Sequence, residues 1–196
     1  MKRTFNLLPL VLSFALIATM LPVHPVLSVS AARAAALNNW TALGAALNGQ
    51  IMDIAVSSTG DAYAVGSFSN AGGYAAADFV AKWNGTSWSP LGTTALNGSI
   101  QAIAISDTDE IYVGGIFTNA GGDPNADYIA KWNGTSWSAL GTTPLTQEVY
   151  SIAIHGNDVY AGGFFTNAGG DSNADYIARW NGTSWSALGT TPLAVP

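Results

Sequence analysis

One phrase is written three times in this chain. It reads AYAVGSFSNAGGYAAADFVAKWNGTSWSPLG from Ala62 to Gly92, IYVGGIFTNAGGDPNADYIAKWNGTSWSALG from Ile111 to Gly141, and VYAGGFFTNAGGDSNADYIARWNGTSWSALG from Val159 to Gly189. Trp40, Trp88, Trp137 and Trp185 step along at intervals of 48, 49 and 48 residues. A fixed period of this size means that one supersecondary unit is stacked on copies of itself, because a single unit cannot bury its own apolar face. Such arrays build scaffolds and binding surfaces. A catalytic site needs unlike residues at unlike places, which near-identical copies do not supply.

The first 34 residues stand outside the repeat and have the pattern of a secretory signal peptide. Lys2 and Arg3 form a positive end, Phe5 to Val23 is largely apolar, Pro22 and Pro25 follow, and Ala32-Arg33-Ala34 is a small-x-small cleavage pattern. The expected mature chain begins at Ala35, with an uncleaved membrane anchor as the alternative. Removing residues 1–34 leaves 162 residues, with three cations against all twelve acids and a net charge of −9. That balance offers no basic patch, so neither nucleic acid nor, after signal cleavage, a membrane surface is an expected partner. There is no cysteine, so an exported chain is held by packing alone.

Each repeat divides into four short stretches rich in β-branched and aromatic residues, with no helical periodicity. In the third copy these are Val149–Ile154, Val159–Phe165, Tyr176–Trp180 and Thr183–Leu188. Asn84-Gly85, Asn133-Gly134 and Asn181-Gly182 predict two-residue type I′ hairpins between the third and fourth strands. Alternation in the first strands sets Met52, Ile54 and Val56 against Ile51, Asp53 and Ala55, and Tyr150, Ile152 and Ile154 against Val149, Ser151 and Ala153. A strand with one bulky and one small face is covered on both sides. The fold expected is all-β: three four-stranded antiparallel blades of a β-propeller, at about 50–91, 99–140 and 148–189, with a right-handed β-solenoid as runner-up. Residues 38–44 (NNWTALG) copy a fourth strand and make a surplus outer strand. Three blades do not close a ring, so the chain is expected either to pair as a homodimer into a six-bladed ring or to be a fragment of a longer propeller.

Ile111-Tyr112-Val113-Gly114-Gly115, then Tyr128, then Trp137-Ser138-Ala139-Leu140 resemble a kelch repeat. The family includes the central domain of galactose oxidase and the polarity-marker propellers of the fungal cortex. The resemblance spans nearly all of the mature chain and implies a propeller. The spacing departs from the family, since Tyr128 to Trp137 is longer than the usual kelch interval and the first copy has Val65-Gly66-Ser67 in place of the double glycine. The copper ligands of galactose oxidase, which include His and Cys, have no counterparts here.

The strand order places the long loops Ser69–Asp78, Thr118–Asp127 and Thr166–Asp175 on one rim with the inter-blade links Gly92–Gly98 and Gly141–Gln147. Loops gathered on one face of an array are the default ligand surface. The candidate ligand-binding residues are Asn119, Asp123, Asn125 and Asp127, with Asn167, Asp171, Asn173 and Asp175. Asp123, Asn125 and Asp127, and Asp171, Asn173 and Asp175, set oxygen side chains at alternate positions, as calcium loops do, so Ca²⁺ is the one cofactor considered. Asx-turns, in which each side chain caps its own backbone, are the alternative. Asp78, Asp127 and Asp175 each precede a cation by four residues, which would let an ion pair form along the strand. The Trp residues read first as packing and second as sugar platforms. His155 has no counterpart in the other copies, and no nucleophile has a base. The expected function is a secreted, non-catalytic interaction module for a protein or glycan ligand, with a lectin-like propeller as the alternative and a glycan-active enzyme fragment after it.

Overall fold

The computed structural model describes residues 42–193. The expected signal segment 1–34, Trp40 and most of the outer strand 38–44 lie outside the described residues. Blade 1 consists of β1 (Gln50–Val56), β2 (Ala62–Ser67), β3 (Val80–Trp83) and β4 (Trp88–Ser89). Blade 2 consists of β5 (Ile100–Ile105), β6 (Ile111–Gly115), β7 (Ile129–Trp132) and β8 (Trp137–Ser138). Blade 3 consists of β9 (Val149–His155), β10 (Asp158–Gly163), β11 (Ile177–Trp180) and β12 (Trp185–Ser186). Each blade is an antiparallel meander whose strand order follows the sequence.

The blades stand side by side. β1 packs on β5 and β5 on β9, while β2 also meets β5 and β6 meets β9. One face of blade 2, carrying Ile100, Ile103, Ile111 and Val113, shares a core with Tyr63, Val65 and Val80 of blade 1. Its other face, carrying Tyr112 and Ile129, shares a core with Val149, Val159 and Ala161 of blade 3. Large side chains fit small ones across the seam: a Cβ on Gly114 would come 2.5 Å from Val149 Cγ1. Among the described residues no sheet closes on itself or on the first, so the architecture is three blades of an incomplete propeller.

Two local expectations are corrected. Every inner strand carries a bulge, at Ile51/Asp53, Ile100/Ala102 and opposite Gly162/Gly163. An extra residue shifts the alternation by one. Ile51 therefore shares a face with Ile54 and Val56, and Val149 with Ile152 and Ile154. Met52 and Tyr150 are the bulged residues, and Tyr150 turns outward to meet Phe164 edge-on at 5.3 Å. The Asn-Gly hairpins are also longer than two residues. Trp132 pairs with Trp137 across a four-residue turn, and only its glycine has positive φ. The Asn133 side chain closes that turn by accepting the Thr135 and Ser136 N–H groups, both at 2.9 Å. Asn84 and Asn181 act alike.

Candidate functional site

The long loops occupy one rim as expected, tied to the links by side-chain hydrogen bonds. Asn97 takes the Thr118 N–H at 2.8 Å, and Asn48 takes that of Ser69 at 2.8 Å. Within each loop, Asn-Ala-Gly-Gly forms a single tight 3₁₀ turn. Asn119 adopts the left-handed region that Asn tolerates, Ala120 is buried, and Gly121 lies where a Cβ would come 2.8 Å from that of Trp137.

The structure turns the candidate ligand-binding carboxylates inward, onto backbone. Asp127 Oδ1 accepts the Asn119 N–H at 2.7 Å and closes the base of its loop. Asp123 accepts the Asn125 N–H on one oxygen and the Ala139 N–H on the other, each at 3.0 Å, so it pins the loop to the end of β8. Blade 3 repeats this with Asp175 on Asn167 at 2.7 Å, and with Asp171 on Asn173 and Ala187 at 3.0 Å. The N–H groups of Ala187 and Asn173 hold the Asp171 carboxyl below its ordinary range. Blade 1 keeps only the Asp78 closure, at 2.6 Å to the Asn70 N–H. The arrangement is the Asx-type capping weighed from the sequence. Among the described residues no three His, Cys, Asp or Glu side chains converge as a metal would require.

The repeated cations pair across strands, not along them. Lys82 meets Asp61 at 2.7 Å, Lys131 meets Glu110 at 2.8 Å and Arg179 meets Asp158 at 2.8 Å. The i,i+4 acids cannot serve, because Asp78, Asp127 and Asp175 are held at the loop bases and the next residue in each case bends to positive φ. Lys131 keeps Glu110 below the usual carboxylate range. Burial, then the Glu110 hydrogen bond, pushes the Tyr112 hydroxyl up to about 12, so it remains a donor.

The Trp residues form tilted pairs across each hairpin, with ring centroids 5.3–5.6 Å apart. The second of each pair is buried and donates its indole N–H to the preceding repeat. Trp137 reaches the Leu91 carbonyl at 3.1 Å, Trp185 that of Leu140 at 2.9 Å and Trp88 that of Leu43 at 2.9 Å. The first of each pair stacks over the glycine after that leucine, namely Gly44, Gly92 or Gly141. The motif Leu-Gly is thus a seat for the next blade's Trp pair. Packing, the first of the two readings of these residues, describes Trp88, Trp137 and Trp185.

What remains uncommitted is the flank of blade 1. Ile54 occupies the position of Ile103 yet is 67% exposed against 5%, and Ile51 occupies that of Ile100 at 38% against 0%. Val56 is exposed as well. At the far end, Tyr160 and Ile177 of blade 3 take the positions of Tyr112 and Ile129 but are only half-buried. The repeat alone foretells two bare flanks; the bulge decides which side chains stand on them, and sequence alternation missed it.

No protein family and no curated protein matches this chain by sequence, so the kelch resemblance rests on the residues quoted for it. Among solved structures, YCF48 bound to D1 peptide matches at TM-score 0.44 and 19% identity, over 76% of this chain and 42% of that one. YCF48 from Cyanidioschyzon merolae matches at TM-score 0.44 and 15% identity, over 83% and 46%. The chain spans less than half the length of either protein. At this degree of likeness the fold is assigned by the sheets themselves.

Proposed function

We propose that the chain is a secreted, non-catalytic propeller-type interaction module whose flanks engage a protein partner. The observation that carries this reading is the contrast between Ile54 and Ile103. One position in the repeat is sealed at an internal seam and bare at the end of the array. Burying a side chain of that kind is worth about 1.5–3 kcal/mol, so a flank with Ile51, Ile54 and Val56 uncovered favours whatever fits it. The non-catalytic reading is supported by the duties of the loop carboxylates, which cap backbone, and of the cations, which are paired. Secretion rests on the pattern of residues 1–34.

The surface that fits the blade 1 flank is the opposite flank of such a blade, and blade 3 carries one. Leu43 and Gly44 already hold the seat on Trp83 and Trp88. Among the described residues, the inner part of a neighbouring blade is what blade 1 lacks. A second copy joined head to tail supplies it twice and completes a ring of six, with Leu188 and Gly189 of each copy left over because Leu43 and Gly44 already fill that seat.

Because the chain has no cysteine, this order can be read by cross-linking. At the internal seam, Ile152 packs over Gly114; the equivalent pair across the proposed contact is Ile54 and Gly162. With Ile54→Cys and Gly162→Cys together, a short bismaleimide is expected to give a covalent dimer, and neither single variant to give one. Cross-linking by a single variant, or none by the pair, contradicts the head-to-tail contact.

A further inference from the structure

The seam between blades 1 and 2 is latched, and the seam between blades 2 and 3 is not. In the first, Asp109 in the turn from β5 to β6 reaches back to blade 1. Its carboxylate accepts the Ser58 N–H at 3.0 Å and the Ser58 hydroxyl at 2.6 Å. Trp132, which shares the blade 1–blade 2 core, is only 9% exposed. The second seam lacks both halves of this latch. The connection between Ile154 and Asp158 is one residue shorter, with only His155, Gly156 and Asn157 where blade 2 has Ser106 to Asp109. The position of Ser58 is taken in blade 2 by Asp107, an acid that would repel a carboxylate reaching back.

The unlatched seam opens as a cleft of about 480 Å³ on the rim opposite the long loops. That volume falls in the ~300–1,000 Å³ range of small-molecule sites. Its two walls differ in chemistry. The blade 3 wall joins apolar Ile154, Val159 and the half-buried Trp180 to polar Asn157 and Asn181. The blade 2 wall is a hydrogen-bonding surface of Glu110, Lys131, Tyr112 and Ser138. Lys131 Nζ donates to Glu110 Oε1 at 2.8 Å and the Tyr112 hydroxyl to Oε2 at 3.0 Å, so the carboxylate is held in place with lone pairs to spare. Asn157 and Asn181 stand at the mouth.

We propose that this cleft binds a neutral saccharide ring, its C–H face against Ile154 and the accessible part of Trp180 and its hydroxyl edge toward Glu110, Lys131 and Ser138. A pyranose has one face of C–H groups and a rim of donors and acceptors, which matches the apolar part of one wall opposite the polar surface of the other. An anion would meet Glu110 and Asp107 with a single, already paired lysine. A wholly apolar ligand would strip water from the Glu110–Lys131 pair without replacing its hydrogen bonds. The site is separate from the flanks and does not depend on the partner proposed for them.

The test is calorimetric titration of the full chain with glucose, galactose, mannose, N-acetylglucosamine, cellobiose and chitobiose. At least one is expected to bind with Kd at or below ~1 mM, and Trp180→Ala to weaken it at least tenfold. Trp180 also packs on Trp185, so a second variant leaves the ring in place and restores the latch. It combines Asp107→Ser with replacement of His155-Gly156-Asn157 by Ser-Asp-Thr-Asp. This variant is expected to fold as the parent by circular dichroism and to lose binding. No binding across the panel, or binding that survives the restored latch, overturns the proposal.

Discussion

At the scale of single residues, the chain is held by small devices repeated once per blade. The clearest is the indole N–H that crosses from one repeat to a leucine carbonyl of the last. Trp137 makes this bond in a buried setting and Trp88 in a part-buried one. Trp137→Phe keeps an aromatic ring but orphans the Leu91 carbonyl, which costs about 1–3 kcal/mol in a buried site. Trp88→Phe is expected to cost less, because water can reach Leu43. Urea unfolding of both variants checks the order; equal losses would mean that ring packing alone matters. The sequence shows that these Trp residues recur, and burial follows from that recurrence. The carbonyl they reach was not legible, because it lies 45–46 residues back along the chain and only the three-dimensional stacking brings it near.

At the scale of elements, the loops show how function-like spacing can arise from structural need. Asp123, Asn125 and Asp127 sit at alternate positions as calcium ligands would, but the backbone claims the two acids. Asp127 has a further task. Tyr128 is forced to φ 64, with Tyr176 and Phe79 at 63 and 65 in the other blades. Such a conformation is costly for a bulky residue and persists only where neighbours enforce it. Hydrogen bonds at both ends of Tyr128, to Phe117 and Gly115, and the Asp127 cap before it supply that enforcement. Asp127→Ala is expected to lower stability by about 1 kcal/mol, the worth of one such hydrogen bond, and to speed protease cleavage within 118–127. The parent's melting temperature is expected to be the same in calcium and in chelator. A rise with calcium would show that these loops hold the ion. The strand count and order were readable from the repeat, since hydrophobic period and turn residues agree there. The bulges and positive-φ aromatics were not, because nothing in an alternating pattern marks which residue is extra.

At the scale of the whole molecule, the governing fact is that the outer flanks of the described blades are uncovered. Blade 2 has a neighbour on each face, and its core positions Ile100, Ile103, Ile111 and Val113 are buried. Blades 1 and 3 carry the same positions uncovered on one side each. The repeat alone implies that any flank without a neighbouring blade stays bare. The open seam between blades 2 and 3 was within reach of the same sequence: one missing turn residue and an aspartate in place of a serine mark it. The grip of Asp109 on Ser58 in the seam before was not legible, because the two lie 51 residues apart and only the fold brings them together. The most direct measurement is the solution mass of the chain, expressed with export so that the cell removes any leader, by light scattering coupled to size exclusion. Twice the subunit mass found by mass spectrometry, falling to one subunit with Ile54→Asp, is the result expected of flanks that need a partner. A well-behaved single chain whose mass and solubility ignore that substitution would contradict it.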